Sequence, residues 1–317
     1  MTYGSGNFSG EEWIDTIDLG SGLVIQNQSI GVASSGSATG FSDIDGILGI
    51  GPANLTTDTV SNTATVPTVM DNLFSQGMIP EEILGIYYVP VSESSSGQVT
   101  FGGYDSSVVT SSVEYTALTT TSPASNYWGI NQSITYGGNT ILSSTAGIVD
   151  TGTTLIFIAS GESRVPGLTG YTPETLPSDG FEKYQSATGG KLDNTTGLLT
   201  ITSSQYADLK TLTFNIGGTS YDLSPNAQIW PRSLNSAIGG NSSLIYLVVS
   251  DMGTPSGSGI DFIDGYTFLY AFFVFSSSTD ALFNLRVYFS ERFYSVFDTT
   301  NKRIGFASTK YTNATTN

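Results

Sequence analysis

Apolar and polar residues alternate over short stretches along most of the chain, and clusters of Gly, Asn, Asp and Ser interrupt them. Residues 97–101 (GQVTF), 211–216 (TLTFNI) and 295–297 (SVF) predict strands, because successive side chains of a strand face opposite sides. The segment 298–302 (DTTNK) lies between SVF and RIGF and predicts a hairpin turn. Helical periodicity is scarce. Residues 68–76, closed by Gly77, form the best helical candidate, followed by 181–185 and 204–209. The pattern therefore predicts an all-β protein with a few short helices.

Two segments depart from this texture. Residues 161–173 (GESRVPGLTGYTP) predict a Pro/Gly-rich loop. Residues 270–290 (YAFFVFSSSTDALFNLRVYFS) contain no glycine and seven aromatics in 21 positions. On pattern alone this second segment predicts a pair of buried strands. It is too short and too interrupted to cross a bilayer.

Composition narrows the chemistry. The 317 residues are long enough for one large domain or two lobes. Acids outnumber Lys and Arg by 27 to 10, so cations are too few for nucleic acid or an anionic membrane as partner. Charge is nevertheless sparse at 12% of residues, which suits acidic surroundings: once carboxylates protonate, few cations remain to repel one another. The chain has no histidine and no cysteine. This removes Ser-His and Cys-His nucleophiles and the usual zinc ligand sets, so hydrolytic chemistry would run on carboxylates without metal or cofactor. Asn-x-Ser/Thr sequons at Asn7, Asn27, Asn54, Asn131, Asn194, Asn241 and Asn313 are compatible with secretion. The polar opening Met1-Thr-Tyr-Gly-Ser-Gly6 contains no signal peptide.

Asp150 stands between the apolar stretches Ala146-Gly-Ile-Val149 and Leu155-Ile-Phe-Ile158, on the segment Asp-Thr-Gly-Thr-Thr. Such a segment predicts an acid on a tight, glycine-permitted turn between buried strands, with threonine hydroxyls available as donors. An Asp-Thr-Gly alone is also an ordinary turn. Apolar flanks favour function, since placing a carboxylate among them is costly without a purpose.

Gly147-Ile-Val-Asp-Thr-Gly-Thr-Thr154 resembles the second-lobe active-site motif of the pepsin-like aspartic endopeptidases, and other segments follow in that family's order. Thr2-Tyr-Gly-Ser-Gly6 resembles the flap, with Tyr3 at its tyrosine. Residues 41–51, containing Asp45-Gly-Ile-Leu-Gly49, resemble the strand that supports the first catalytic loop, and 66–77 the helix after it. Residues 97–105 and Tyr127-Trp-Gly-Ile130 resemble strands near the lobe junction. Phe262-Ile-Asp-Gly265 resembles the second supporting strand, and 292–307 the terminal hairpin. Cysteine-poor acid proteases secreted by fungi are the most similar branch.

The resemblance implies a bilobal all-β fold, with a partial first lobe at 1–108 and a second lobe at 109–317. It implies an extracellular endopeptidase acting on protein or peptide substrates in a cleft, monomeric when full length. Asp150 would be a catalytic aspartate; Thr151, Gly152 and Thr153 would support it; Tyr3, Gly4, Ser5 and Gly6 would close over the substrate. The family mechanism uses two aspartates that share a proton and activate a water.

This sequence holds only one Asp-Thr/Ser-Gly-Thr/Ser motif, and in the family the first catalytic aspartate precedes the flap. The expectation is an N-terminally truncated chain with little or no peptidase activity, or a non-catalytic peptide-binding relative. Segments 161–173 and 270–290 interrupt stretches that are adjacent in the family, which predicts either retained introns together with a missed first exon or a genuine paralogue with added surface loops.

Overall fold

The structure is a computed structural model that describes residues 1–3, 6–34, 46–90, 97–161, 180–265, 267 and 292–315. Segment 270–290, most of 161–173, and Gly4 and Ser5 lie outside the described residues.

A short hairpin, β1 (Thr2–Tyr3) with β2 (Gly6–Asn7), opens the chain. A longer ribbon follows, β3 (Gly10–Asp18) with β4 (Val24–Ala33). No alternation in the sequence marks this ribbon, because it is exposed along most of both strands and carries Trp13, Ile14 and Val32 in solvent. It is tied down at one end. Ile25 is buried, and Gln26 and Gln76 exchange two hydrogen bonds of 2.9 Å, joining it to helix α1 (Val69–Ser75).

Helix α1 forms where 68–76 predicts one. Thr68 caps it: its hydroxyl accepts the Asp71 N–H at 3.2 Å, while the Asp71 carboxylate accepts the Thr68 N–H at 2.7 Å. Beyond it come β5 (Ile83–Tyr87), β6 (Gln98–Phe101) and β7 (Glu114–Ala117). The second half of the described chain is built on β8 (Gly129–Tyr136), β9 (Asn139–Val149) and β10 (Ile156–Ser160). Helix α2 (Gly180–Thr188) is followed by β11 (Lys191–Leu192), β12 (Leu199–Ile201) and helix α3 (Ser203–Ala207). Then come β13 (Leu212–Ile216), β14 (Thr219–Leu223), β15 (Ile245–Tyr246), β16 (Val249–Pro255) and β17 (Phe262–Asp264). Strands β18 (Phe293–Asp298) and β19 (Arg303–Ser308) end the order.

The strands predicted at 97–101, 211–216 and 295–297 are all present, as are the three helices, each within a few residues of the expected span. The turn at 298–302 is a hairpin between β18 and β19. Asp298 organises it by accepting from the Asn301 N–H at 2.9 Å and from Arg303 Nε at 2.7 Å.

Two large sheets carry the molecule. One has five strands in the order β6-β5-β18-β19-β7, so it draws on both ends of the chain. The other has seven, β14-β13-β8-β9-β17-β10-β16. This otherwise antiparallel sheet has two parallel pairs, β17 with β9 near its middle and β16 with β10 at its edge. Ile130, Ile134, Ile156, Ile158, Phe214 and Phe262 are fully buried on these strands and anchor the core. Their removal from water is the main favourable contribution to folding.

Candidate active site

Asp150 follows directly on β9, in the turn leading to β10, and is half-buried. The turn is held against β17 because the Asp150 N–H donates to the Asp264 carbonyl at 3.1 Å. The preceding Val149 N–H donates to the Trp128 carbonyl at 2.9 Å. Two glycines allow this approach. A Cβ on Gly147 would come within 2.5 Å of Phe262, and one on Gly265 within 2.1 Å of the Leu155 carbonyl oxygen. Any side chain at these positions would push the turn off its support.

The carboxylate of Asp150 is oriented by its own turn. Gly152 N–H donates to Oδ1 at 2.8 Å, and the Thr153 hydroxyl donates to Oδ2 at 2.6 Å. The Thr153 N–H closes the turn on the Asp150 carbonyl at 3.1 Å. Each oxygen keeps a lone pair for a water or substrate. Thr151 is half-buried in the same turn, and its hydroxyl makes no hydrogen bond among the described residues.

Tyr3 pairs with Gly6 across the opening hairpin, and its ring stacks on Phe8 with centroids 6.4 Å apart. Burial pushes its phenol pKa up. This hairpin is a sheet of its own, separate from the sheet behind Asp150. The expected tip residues Gly4 and Ser5 lie outside the described residues, as does Asp45. Ile50, at the end of the 41–51 motif, is described. Its carbonyl accepts the Trp128 indole N–H at 3.0 Å, linking that motif to the strand beside Asp150.

Beneath the turn lies a group that motif reading did not single out. Asp264 is fully buried, and its Oδ1 accepts from Gln132 Nε2 at 2.9 Å. Among the described residues its Oδ2 has no partner, and neither has Gln132 Oε1. Burial drives its pKa up to about 8, partly offset by the Gln132 hydrogen bond. Asp261, three residues earlier and also buried, is the contrast. It accepts from the Gly257 N–H at 2.8 Å, the Ser258 N–H at 3.1 Å and the Thr145 hydroxyl at 2.5 Å. The sequence did carry a signal for Gln132. It sits on the same face of β8 as the buried Ile130, Ile134 and Tyr136, a polar residue in an apolar register.

A carboxylate oriented on a glycine-tight turn between buried strands, in a mostly β molecule, is the architecture of a pepsin-like aspartic proteinase. The chain belongs to the eukaryotic aspartyl protease family, whose match covers residues 1–165. It is 53% identical to polyporopepsin of Irpex lacteus over the whole of this chain and 82% of that protein. Rhizopuspepsin of Rhizopus chinensis is 34% identical over 76% of this chain and 54% of its own length. The crystal structure of an aspartic proteinase from Irpex lacteus superposes with a TM-score of 0.84 at 52% identity, covering all of this chain and 82% of that one.

Proposed function

We propose that this chain carries the second-lobe half of an aspartic endopeptidase centre, with Asp150 as a catalytic carboxylate. The observation that supports this most directly is the pair of donors, Gly152 N–H and Thr153 hydroxyl, fixing both oxygens of Asp150. In the complete reaction, a water held between two aspartates attacks the peptide carbonyl. One aspartate takes the water's proton and the other protonates the developing oxyanion. Substrates are proteins or peptides bound in extended form, with Tyr3, Gly4, Ser5 and Gly6 covering them and Thr151, Gly152 and Thr153 supporting the turn. The lobes divide near residue 108, the partial first lobe preceding it and the second lobe following it. The site of action is extracellular, and the full-length protein acts as a monomer.

The sequence contains a single Asp-Thr-Gly-Thr, so the 317-residue chain alone lacks the partner needed to divide acid and base roles. On this reading the chain by itself turns over little or no peptide. The test measures proteolysis at acid pH and binding of a statine-containing peptide by the purified chain and Asp150→Asn. No cleavage, with inhibitor binding weakened by the substitution, is the expected result. Statine-sensitive cleavage would overturn the inactivity, and equal binding by both proteins would overturn the role of Asp150.

A further inference from the structure

We propose that Asp264 and Gln132 form a closed acid–amide pair, with a proton resident on Asp264 Oδ2, and that Asp264 is thereby a positioning residue for Asp150. The argument starts from atoms that lack partners. Gln132 Nε2 donates to Asp264 Oδ1 at 2.9 Å, yet Asp264 Oδ2 and Gln132 Oε1 are buried with no hydrogen bond. A carboxylate oxygen and an amide oxygen are both acceptors and cannot satisfy one another. A single proton on Oδ2, donated to Oε1, closes a ring of two hydrogen bonds and removes both orphans.

Other donors are excluded by the surroundings. The Thr267 hydroxyl, three residues on, is buried and has no partner, so it does not serve Oδ2. The flanking strands β9 and β10, and β8 beyond, contain no charged side chain. Among neighbouring acids, Asp150 is bound by its own turn and Asp261 by the 257–258 loop. Asp251 on β16 donates nothing and accepts the Gly253 N–H. On α2, which packs on β9 and β10, Glu182 holds the Gly161 N–H and Lys183 Nζ reaches the Ile141 carbonyl at 3.4 Å. Among the described residues no cation compensates a charge on Asp264. Its upward-shifted pKa has burial as the leading cause, in keeping with a neutral acid.

The consequence for the site runs through the backbone. The Asp264 carbonyl accepts the Asp150 N–H at 3.1 Å, and Gly265 immediately after it touches the Thr153 and Leu155 carbonyls. When the proton leaves Oδ2 for solvent, a bare charge remains inside the sheet, and the strand must shift or admit water to solvate it. The Asp150 turn moves with that strand. The catalytic meaning of this movement rests on the function proposed above; the pair itself does not.

The test therefore reads the Asp150 amide rather than turnover. Hydrogen exchange of the Asp150 N–H is followed from pH 5 to 9 as a protection factor, which removes the intrinsic pH dependence of exchange. In the unsubstituted chain, protection is expected to fall by at least about tenfold as Asp264 ionises. In Asp264→Asn, whose side-chain amide can make the same ring with Gln132 and cannot ionise, protection is expected to stay level. An equal fall in both proteins overturns the proposal. Carbon-13 titration of the Asp264 carboxyl in the unsubstituted chain keeps the answer independent of how that variant folds. Titration in the ordinary aspartate range overturns the pair, and a carboxyl still protonated at pH 6 supports it.

Discussion

The pH dependence of global stability is set largely by Asp264, and its sign is opposite to that of most carboxylates. Its folded pKa is about 8 against an ordinary aspartate value of 3.8. The folded state therefore binds more protons than the unfolded chain throughout that interval. Stability is fully present below about pH 4 and is lost as pH rises through the folded pKa. At about 1.4 kcal/mol for each pH unit, the interval amounts to on the order of 6 kcal/mol. Water entering the site on ionisation reduces the realised loss, so a few kcal/mol is the expected drop between pH 4 and pH 8. Against total stabilities of roughly 5–15 kcal/mol, such a loss unfolds a marginal domain.

Urea melts at one-unit pH steps measure this directly. The unsubstituted chain should lose stability steadily between pH 5 and 8, while Asp264→Asn should lack most of that slope. Glu82 adds a smaller contribution of the same sign, its pKa raised by burial and then by Asp71. Asp105 and Asp193 act oppositely. Their pKa values are lowered, Asp105 by the Ser107 hydrogen bonds and Asp193 chiefly by the Thr195 N–H, so their contribution fades only as pH falls below the ordinary carboxylate range. If Asp264→Asn melts with the same pH slope as the parent, Asp264 ionises normally and the assignment of a buried neutral acid is wrong.

Four further outcomes follow from the geometry. Thr153→Val removes the donor at 2.6 Å from Asp150 Oδ2 and should loosen the turn, costing about 1–2 kcal/mol in denaturant melts, with Thr153→Ser restoring most of it. Gly265→Ala should destabilise by about 3 kcal/mol or more in denaturant melts, because the added Cβ meets backbone oxygens at 2.1 and 2.6 Å. Gly197→Ala, with φ +73 but open space around it, should cost only about 1 kcal/mol. Arg292 is fully buried and donates to the Tyr311 and Ala314 carbonyls and to Asn226 Oδ1, so Arg292→Met should cost about 3 kcal/mol and free the C-terminal residues to proteolysis.

What could be read from the sequence was whatever depends on local pattern. Strands such as Leu212–Ile216 alternate buried and partly exposed side chains, and α1 carries its own capping box, so both were legible. The ribbon Gly10–Ala33 was not: exposed on both faces, it has no apolar stripe to reveal its period. The parallel pairing of β17 with β9 joins residues more than a hundred positions apart, and no local signal specifies it. Asp150 was legible because its turn is written in consecutive residues, from Gly147 to Thr154. Asp264 was not, because by itself it is an ordinary polar residue in a strand, and Gln132, although polar in an apolar register, does not name its partner. Their meaning depends on the sheet order, which sets β8, β9 and β17 side by side and brings two buried polar side chains together under the Asp150 turn. A buried acid with one donor and no cation cannot be an incidental surface charge: either it carries a proton or the strand beneath Asp150 must yield. The Asp150 turn and the buried pair beneath it thus differ in legibility for a physical reason, since one is held together by adjacent backbone and the other by the fold.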